Sequence, residues 1–297
     1  MNKKIQLILL CLMTFCGTSV QAMTVLSSVK PINLIVQELT KGVSESSYLV
    51  SSSASPHDYA LRPSDVRKIK QADIVVWYGD DLEPFLSKII ADKKNVITIS
   101  EFSSVEFYHF DEHGEDEHAH EGDHHHSTDP HFWLGPKEAL GVAKEITVQL
   151  TKNDPLNKDK YESNLNNFEN KLAQAVETIS KQLKPVQHKG YFVFHDAYGY
   201  FERYFEMNNL GHFTVSPDRK PGAKSLIKIK KSLLERKAVC VFSEPQFEPA
   251  IVTTITRGTD VNKGELDPLA IHQANEQGAY FDFLLTISNE LTRCLNQ

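Results

Sequence analysis

Histidine is the residue most able to do chemistry in this chain, and ten of its 13 copies fall into two groups. Seven of them, His109, His113, His118, His120, His124, His125 and His126, crowd into "HFDEHGEDEHAHEGDHHH" with seven carboxylates and no Lys or Arg. Three others stand alone in telling places. His57, in "SASPHDYALRPSD", lies in the turn after an apolar strand; His195 closes the strand "YFVFH"; His131, in "TDPHFWLGP", sits at the exit of the acidic run. In open α/β sheets, ligands bind beyond the carboxyl ends of the strands, where His57 and His195 fall. Asp267, in "GELDPL", ends the last strand of the second half and is a fourth candidate. Three neutral imidazoles with one carboxylate or a water suit Zn2+ better than Mn2+, which wants more oxygen. Asp58 and Asp196, each directly after a histidine, are candidates to hold a ring tautomer or to cap the next helix.

The run 109–126 has Phe110 as its only large apolar side chain, so it predicts a solvated loop that binds metal weakly through interchangeable ligand sets. Ordering such a loop round an ion costs roughly 1–2 kcal/mol per residue, a cost that strand-end ligands have met during folding. The run therefore reads as accessory to the site at His57, His131 and His195.

Those three positions need a scaffold, and the hydropathy pattern supplies one. Apolar strands ("TVLSSV", "SYLVSS", "DIVVWYG", "NVITIS") alternate with helical stretches, at 31–42, 64–71 and 81–91. The rhythm returns after Gly190 with "YFVFH", "HFTVS", "AVCVFS" and "GELDP", and with helices at 197–207, 223–237, 248–257 and one ending near Leu295. This alternation predicts an α/β protein with two lobes, each a parallel sheet flanked by helices. Between the halves Tyr161, Leu165, Phe168, Leu172, Val176, Ile179 and Leu183 recur every three or four residues. They form one stripe on a long helix started by Asp154-Pro155 and stopped by Pro185. Its length, roughly 43 Å, makes it a strut joining the lobes. The alternative, an arm of a coiled-coil dimer, would leave the stripe exposed.

Residues 1–22 have a basic start, an apolar run to Phe15 and Val20-Gln21-Ala22, the pattern of a cleaved signal peptide. The expected lobes are then 23–153, with the acidic run, and 186–297, either side of the linking helix 154–185. Removing the leader leaves 30 Lys and Arg against 39 Asp and Glu, a formal −9, which argues against nucleic acid and anionic membrane as partners. No later segment reaches the ~20 apolar residues of a membrane span. Cys240 and Cys294 remain, and two cysteines in an exported chain read as one disulfide, worth roughly 4 kcal/mol in the chain-entropy model.

The segments "ASPHDYALRPSDVRKIKQADIVVWYG", "GYFVFHDAYGYFERYF", "LGHFTVSPD", "CVFSEPQF" and "LDPL" resemble the metal-binding cluster of ABC substrate-binding proteins. Within it they resemble the periplasmic zinc-binding components of high-affinity zinc-uptake transporters, which carry an acidic His-rich insertion at the same place. The resemblance implies one Zn2+ in the cleft between the lobes and delivery to an inner-membrane ABC permease driven by a cytoplasmic ATPase. It also implies a periplasmic monomer, with no nucleic-acid partner and no direct membrane insertion. The family's ligands fall on His57, His131 and His195, and its second-lobe carboxylate on Asp267, not always a direct ligand. A carboxylate replaces the third histidine in manganese and iron relatives, so His195 favours zinc. Some members have a Glu before the first histidine; Pro56 stands there in this chain. The family disulfide falls on Cys240 and Cys294. Two rivals to transport are a zinc hydrolase with Glu244 as base, since three histidines and a water also make catalytic sites, and a periplasmic zinc buffer or metallochaperone. Nothing in the chain supplies a substrate pocket, so the reading favours a binding protein over an enzyme.

Overall fold

The computed structural model describes residues 22–51, 53–109, 128–215, 221–247 and 250–297. The first half runs β1 (Thr24–Ser27), α1 (Lys30–Leu39), β2 (Glu45–Tyr48), α2 (Pro63–Gln71), β3 (Ile74–Trp77), α3 (Ser87–Ile90) and β4 (Val96–Thr98). Two helices follow, α4 (Pro136–Asn153) and α5 (Lys158–Leu183). The second half runs β5 (Gly190–His195), α6 (Gly199–Tyr204), β6 (Asn209–Thr214), α7 (Ala223–Leu234), β7 (Ala238–Ser243), α8 (Ala250–Thr256), β8 (Asn262–Glu265) and α9 (Ala279–Leu295). Each half is a four-stranded parallel sheet, ordered β2-β1-β3-β4 and β6-β5-β7-β8.

The central strands are largely apolar because both faces are covered. Alternate side chains serve different layers. In β3, Ile74 and Val76 join a large core shared by the two halves, while Val75 and Trp77 pack outward with Leu26 and Ile69. In β5, Tyr191 and Val193 face the shared core, and Phe192 and Phe194 face an outer layer with Ile229 and Leu233 of α7. The shared core contains α1, α4, α5 and α9. The stripe of α5 lies in it, with Tyr161, Phe168, Ile179 and Leu183 fully buried and Leu165 and Val176 packed at its edge. An exposed coiled-coil face is thereby ruled out.

The halves are also stitched by polar contacts. Trp133 Nε1 donates to the Pro268 carbonyl at 2.9 Å, Tyr280 OH to the Trp133 carbonyl at 2.9 Å, and Lys30 Nζ to the Gln273 carbonyl at 2.5 Å. Cys240 of β7 and Cys294 of α9 form a disulfide, with Cα atoms 6.0 Å apart.

Several elements differ from the sequence reading, among them β6, which begins at Asn209 rather than His212, and β8, which begins at Asn262 and ends at Glu265, before Asp267. The helix expected over 81–91 shrinks to α3, since Pro84 has no N–H to give and 79–86 turn instead. The second strand lies two residues earlier than expected, although the Leu49 and Val50 N–H groups still reach the Ser27 and Ser28 carbonyls at 2.9 Å. The linking helix begins at Lys158 after a 3-10 turn at Pro155–Asn157, so it is 26 residues and about 39 Å long. The pattern does not predict helix α4: Pro136 stands in its first turn, but its buried face is built partly from Ala139, Ala143 and Thr147, small or polar side chains that weaken the apolar stripe.

Candidate metal centre

His195 is the last residue of β5 and continues the face of Tyr191 and Val193, so its ring points into the shared layer. Only 2 % of it is exposed, and its Nδ1 meets Glu244 Oε1 at 2.6 Å. Glu244 reaches it by the same parity. It follows Cys240 and Phe242 on the inward face of β7, the strand beside β5. Tyr198 OH also lies 3.3 Å from the Glu244 carboxylate.

His131 comes from the segment leading into α4, just before the 3-10 turn Phe132–Leu134. Its backbone N–H donates to Asp129 Oδ1 at 3.0 Å, and its Nδ1 lies 2.7 Å from the same oxygen. One carboxylate thus fixes both the turn and the ring. Tyr200 OH in turn donates to the Asp129 carbonyl at 2.8 Å, holding that segment against α6. His57 sits in the 3-10 turn Pro56–Asp58, opened by Pro56, with its N–H on Ser55 Oγ at 3.3 Å; it is half-buried.

Four segments distant in sequence therefore converge. The ring centroids are 5.7 Å apart for His57 and His131, 6.0 Å for His57 and His195, and 5.2 Å for His131 and His195. One nitrogen from each ring lies within 4.8 Å of the others, and no other such group of three occurs among the described residues. The Nε2 atoms of His131 and His195 are 3.4 Å apart. Two nitrogens bound tetrahedrally to Zn2+ at 2.0–2.1 Å are separated by about 3.4 Å.

Protonation sharpens the point. Each Nδ1 faces a carboxylate and holds its proton there, so each Nε2 presents a lone pair to the other. Two facing lone pairs in a buried site call for a cation between them. Burial drives His131 well below its ordinary pKa, with the charge of His195 adding to the effect. Burial acts the same way on His195, but the charge and hydrogen bond of Glu244 outweigh it, and its pKa is raised. Burial also pushes Asp129 up to about 7, against the N–H of His131. A proton on His195 can bridge the pair in the absence of metal, and a metal must displace it.

Asp267 is held elsewhere. Its carboxylate accepts from Gln246 Nε2 at 2.9 Å, from the Leu269 N–H at 3.1 Å and from the Ile271 N–H, and it is not in the three-histidine group. The carboxylates on the His131 and His195 rings are Asp129 and Glu244, where the sequence had suggested Asp58 and Asp196; Asp196 instead faces His212 at 3.6 Å. Glu244, the candidate base of a hydrolase, is buried against a histidine. Of the accessory histidines, His109 is described, bridging antiparallel to Thr128. His113, His118, His120, His124, His125 and His126 lie outside the described residues.

Known proteins give the same architecture. A crystal structure of ZnuA superposes with a TM-score of 0.78 at 24 % identity, over 92 % of this chain and 99 % of that one. The high-affinity zinc uptake system protein ZnuA of Yersinia pestis is 44 % identical over 289 residues, 91 % of each chain. Its namesake in Haemophilus ducreyi is 40 % identical, over 94 % of this chain and 96 % of its own. The family profile "ZnuA: Zinc-uptake complex component A periplasmic" matches residues 25–294, and the chain belongs to that family.

Proposed function

We propose that this chain captures Zn2+ between its two halves in the periplasm and delivers it to an inner-membrane ABC permease driven by a cytoplasmic ATPase. The observation that carries the reading is the pair of buried Nε2 atoms, 3.4 Å apart, with a carboxylate behind each ring. His57, His131 and His195 are the ligands, and the zinc is cargo. The fourth position falls to water, or to Asp267 after it releases Gln246 and the two backbone N–H groups that now hold it. Residues 1–22 act as a cleaved signal peptide; the mature protein works as a monomer with lobes 23–153 and 186–297 joined by the helical segment 154–185. The likeness to zinc-uptake proteins across nearly the whole chain supports transport over storage. A hydrolase loses its candidate base, since Glu244 is committed to His195 and Tyr198.

The test is growth of a host lacking this gene in zinc-depleted medium, with uptake of labelled zinc. The wild-type gene should restore both, and His195→Ala should restore neither. Tight zinc binding by the purified protein without any effect of the gene on uptake would leave a buffer or metallochaperone and overturn transport.

A further inference from the structure

Charge is segregated in this molecule. Residues 223–237, α7 and its exit, hold six Lys or Arg and one Glu, a formal +5 within a chain of −7, so the remainder carries −12. Helix α7 buries Ile229 and Leu233 against the outer layer of the second sheet. Its opposite face carries Lys224, which has an interaction of its own, with Ile227, Lys228, Lys231 and Leu234 on the same arc of the helix, all of them exposed. Ile227 and Leu234 are 70 % and 60 % exposed, among the most exposed large apolar side chains of the described residues. Lys230 belongs to another face, with its Nζ on the Ile255 carbonyl at 2.9 Å. Lys231 is 3.9 Å from Glu235, a contact between exposed groups that solvent weakens.

Lysines bracketing exposed aliphatic side chains along one helix face fit a surface that is anionic and apolar just beneath, as anionic phospholipid is. We propose that this face of α7 adsorbs the protein reversibly to anionic phospholipid headgroups, with the lysines on phosphates and Ile227 and Leu234 at the edge of the acyl region. The net charge conceals this, because a bilayer meets one face at a time and charges beyond a Debye length of about 8 Å are screened. Adsorption is peripheral, for no helix among the described residues is long and apolar enough to cross a membrane. It would hold the protein in the plane of a membrane-embedded partner without occupying the metal site.

Co-sedimentation of the full mature chain with vesicles tests this. Equimolar phosphatidylglycerol and phosphatidylcholine should retain the protein at low salt and release it at high salt, and pure phosphatidylcholine should not retain it. The triple variant Lys224→Gln, Lys228→Gln, Lys231→Gln should partition about 100-fold more weakly, at roughly fivefold per lysine, with zinc affinity and thermal stability unchanged. Ile227→Ser with Leu234→Ser should weaken the retention at low salt, and unchanged retention would overturn the place given to these two side chains. Failure of the wild type to bind the anionic vesicles, or equal binding by the triple variant, overturns the proposal. Loss of zinc uptake in the triple variant without vesicle binding by the wild type also overturns it, and points to an acidic protein partner. Metal-free and zinc-loaded protein should bind alike, so the outcome is independent of the metal-site assignment.

Discussion

His131 and His195 are each 2 % exposed, and each rests a ring nitrogen on a carboxylate nearly as buried as itself. His57 rides a three-residue turn half-open to solvent. Folding alone therefore sets one edge of a tetrahedron, while the third corner belongs to a segment that can adjust. Ordering a residue costs about 1–2 kcal/mol, so a pair ordered in advance can bind far more tightly than the same groups on a free loop. The buried pair should set affinity and metal choice, and His57 should close the site.

The largest effects should come from removing either member of that pair. His131→Ala and His195→Ala should each weaken zinc binding by about three orders of magnitude or more, and His57→Ala by about two, in competition with a chelator. Equal losses at all three positions would erase the distinction.

Acid comes next. Zinc binds neutral imidazole, so each proton taken up competes with it. Glu244 raises the pKa of His195, so this ring starts competing above the ordinary value near 6.5 as pH falls. Burial lowers His131, which stays neutral until stronger acid. Affinity should fall about a thousandfold from pH 7 to pH 5, with a slope that approaches two only at the acid end. A slope of three at pH 6 would mean that all three rings titrate alike, and a flat profile would exclude histidine ligands.

A smaller loss separates the rings from their supports. Asp129→Asn and Glu244→Gln should each cost roughly 10–100-fold in zinc affinity, while Asp58→Asn should leave it nearly unchanged. Unchanged affinity in the first two would reduce those carboxylates to packing.

Those supports mark where sequence reasoning ran out. The β-α alternation was legible because parallel strands covered on both faces read as apolar runs. The three histidines were legible because two follow strand ends. Asp58 and Asp196 are suggested by adjacency in sequence, yet at the end of β5 successive residues point to opposite faces, and Asp196 faces His212 instead of the ring of His195. The useful neighbours lie two residues away, as Asp129 does from His131, or at the same parity on the next strand, as Glu244 does from His195. Strand order, which brings β7 beside β5, was needed to see the second case. The expected helix at 81–91 failed at Pro84, a breaker visible in the sequence, whereas α4 is marked at its start by Pro136 but shows a stripe diluted by Ala139, Ala143 and Thr147.

The smallest effect should follow deletion of 110–127. His109 and Thr128 already face each other as bridge partners, so a short Gly linker can join them. Calorimetry should lose the weak zinc equivalents and keep one tight one; loss of the tight one would move a ligand into the acidic run.

The most direct measurement is anomalous scattering at the zinc edge from a crystal of the mature protein with one equivalent of zinc. The account predicts one strong peak about 2.0–2.1 Å from Nε2 of His131, Nε2 of His195 and one ring nitrogen of His57. A principal peak among the histidines of 109–126, or one lacking either His131 or His195, would contradict it.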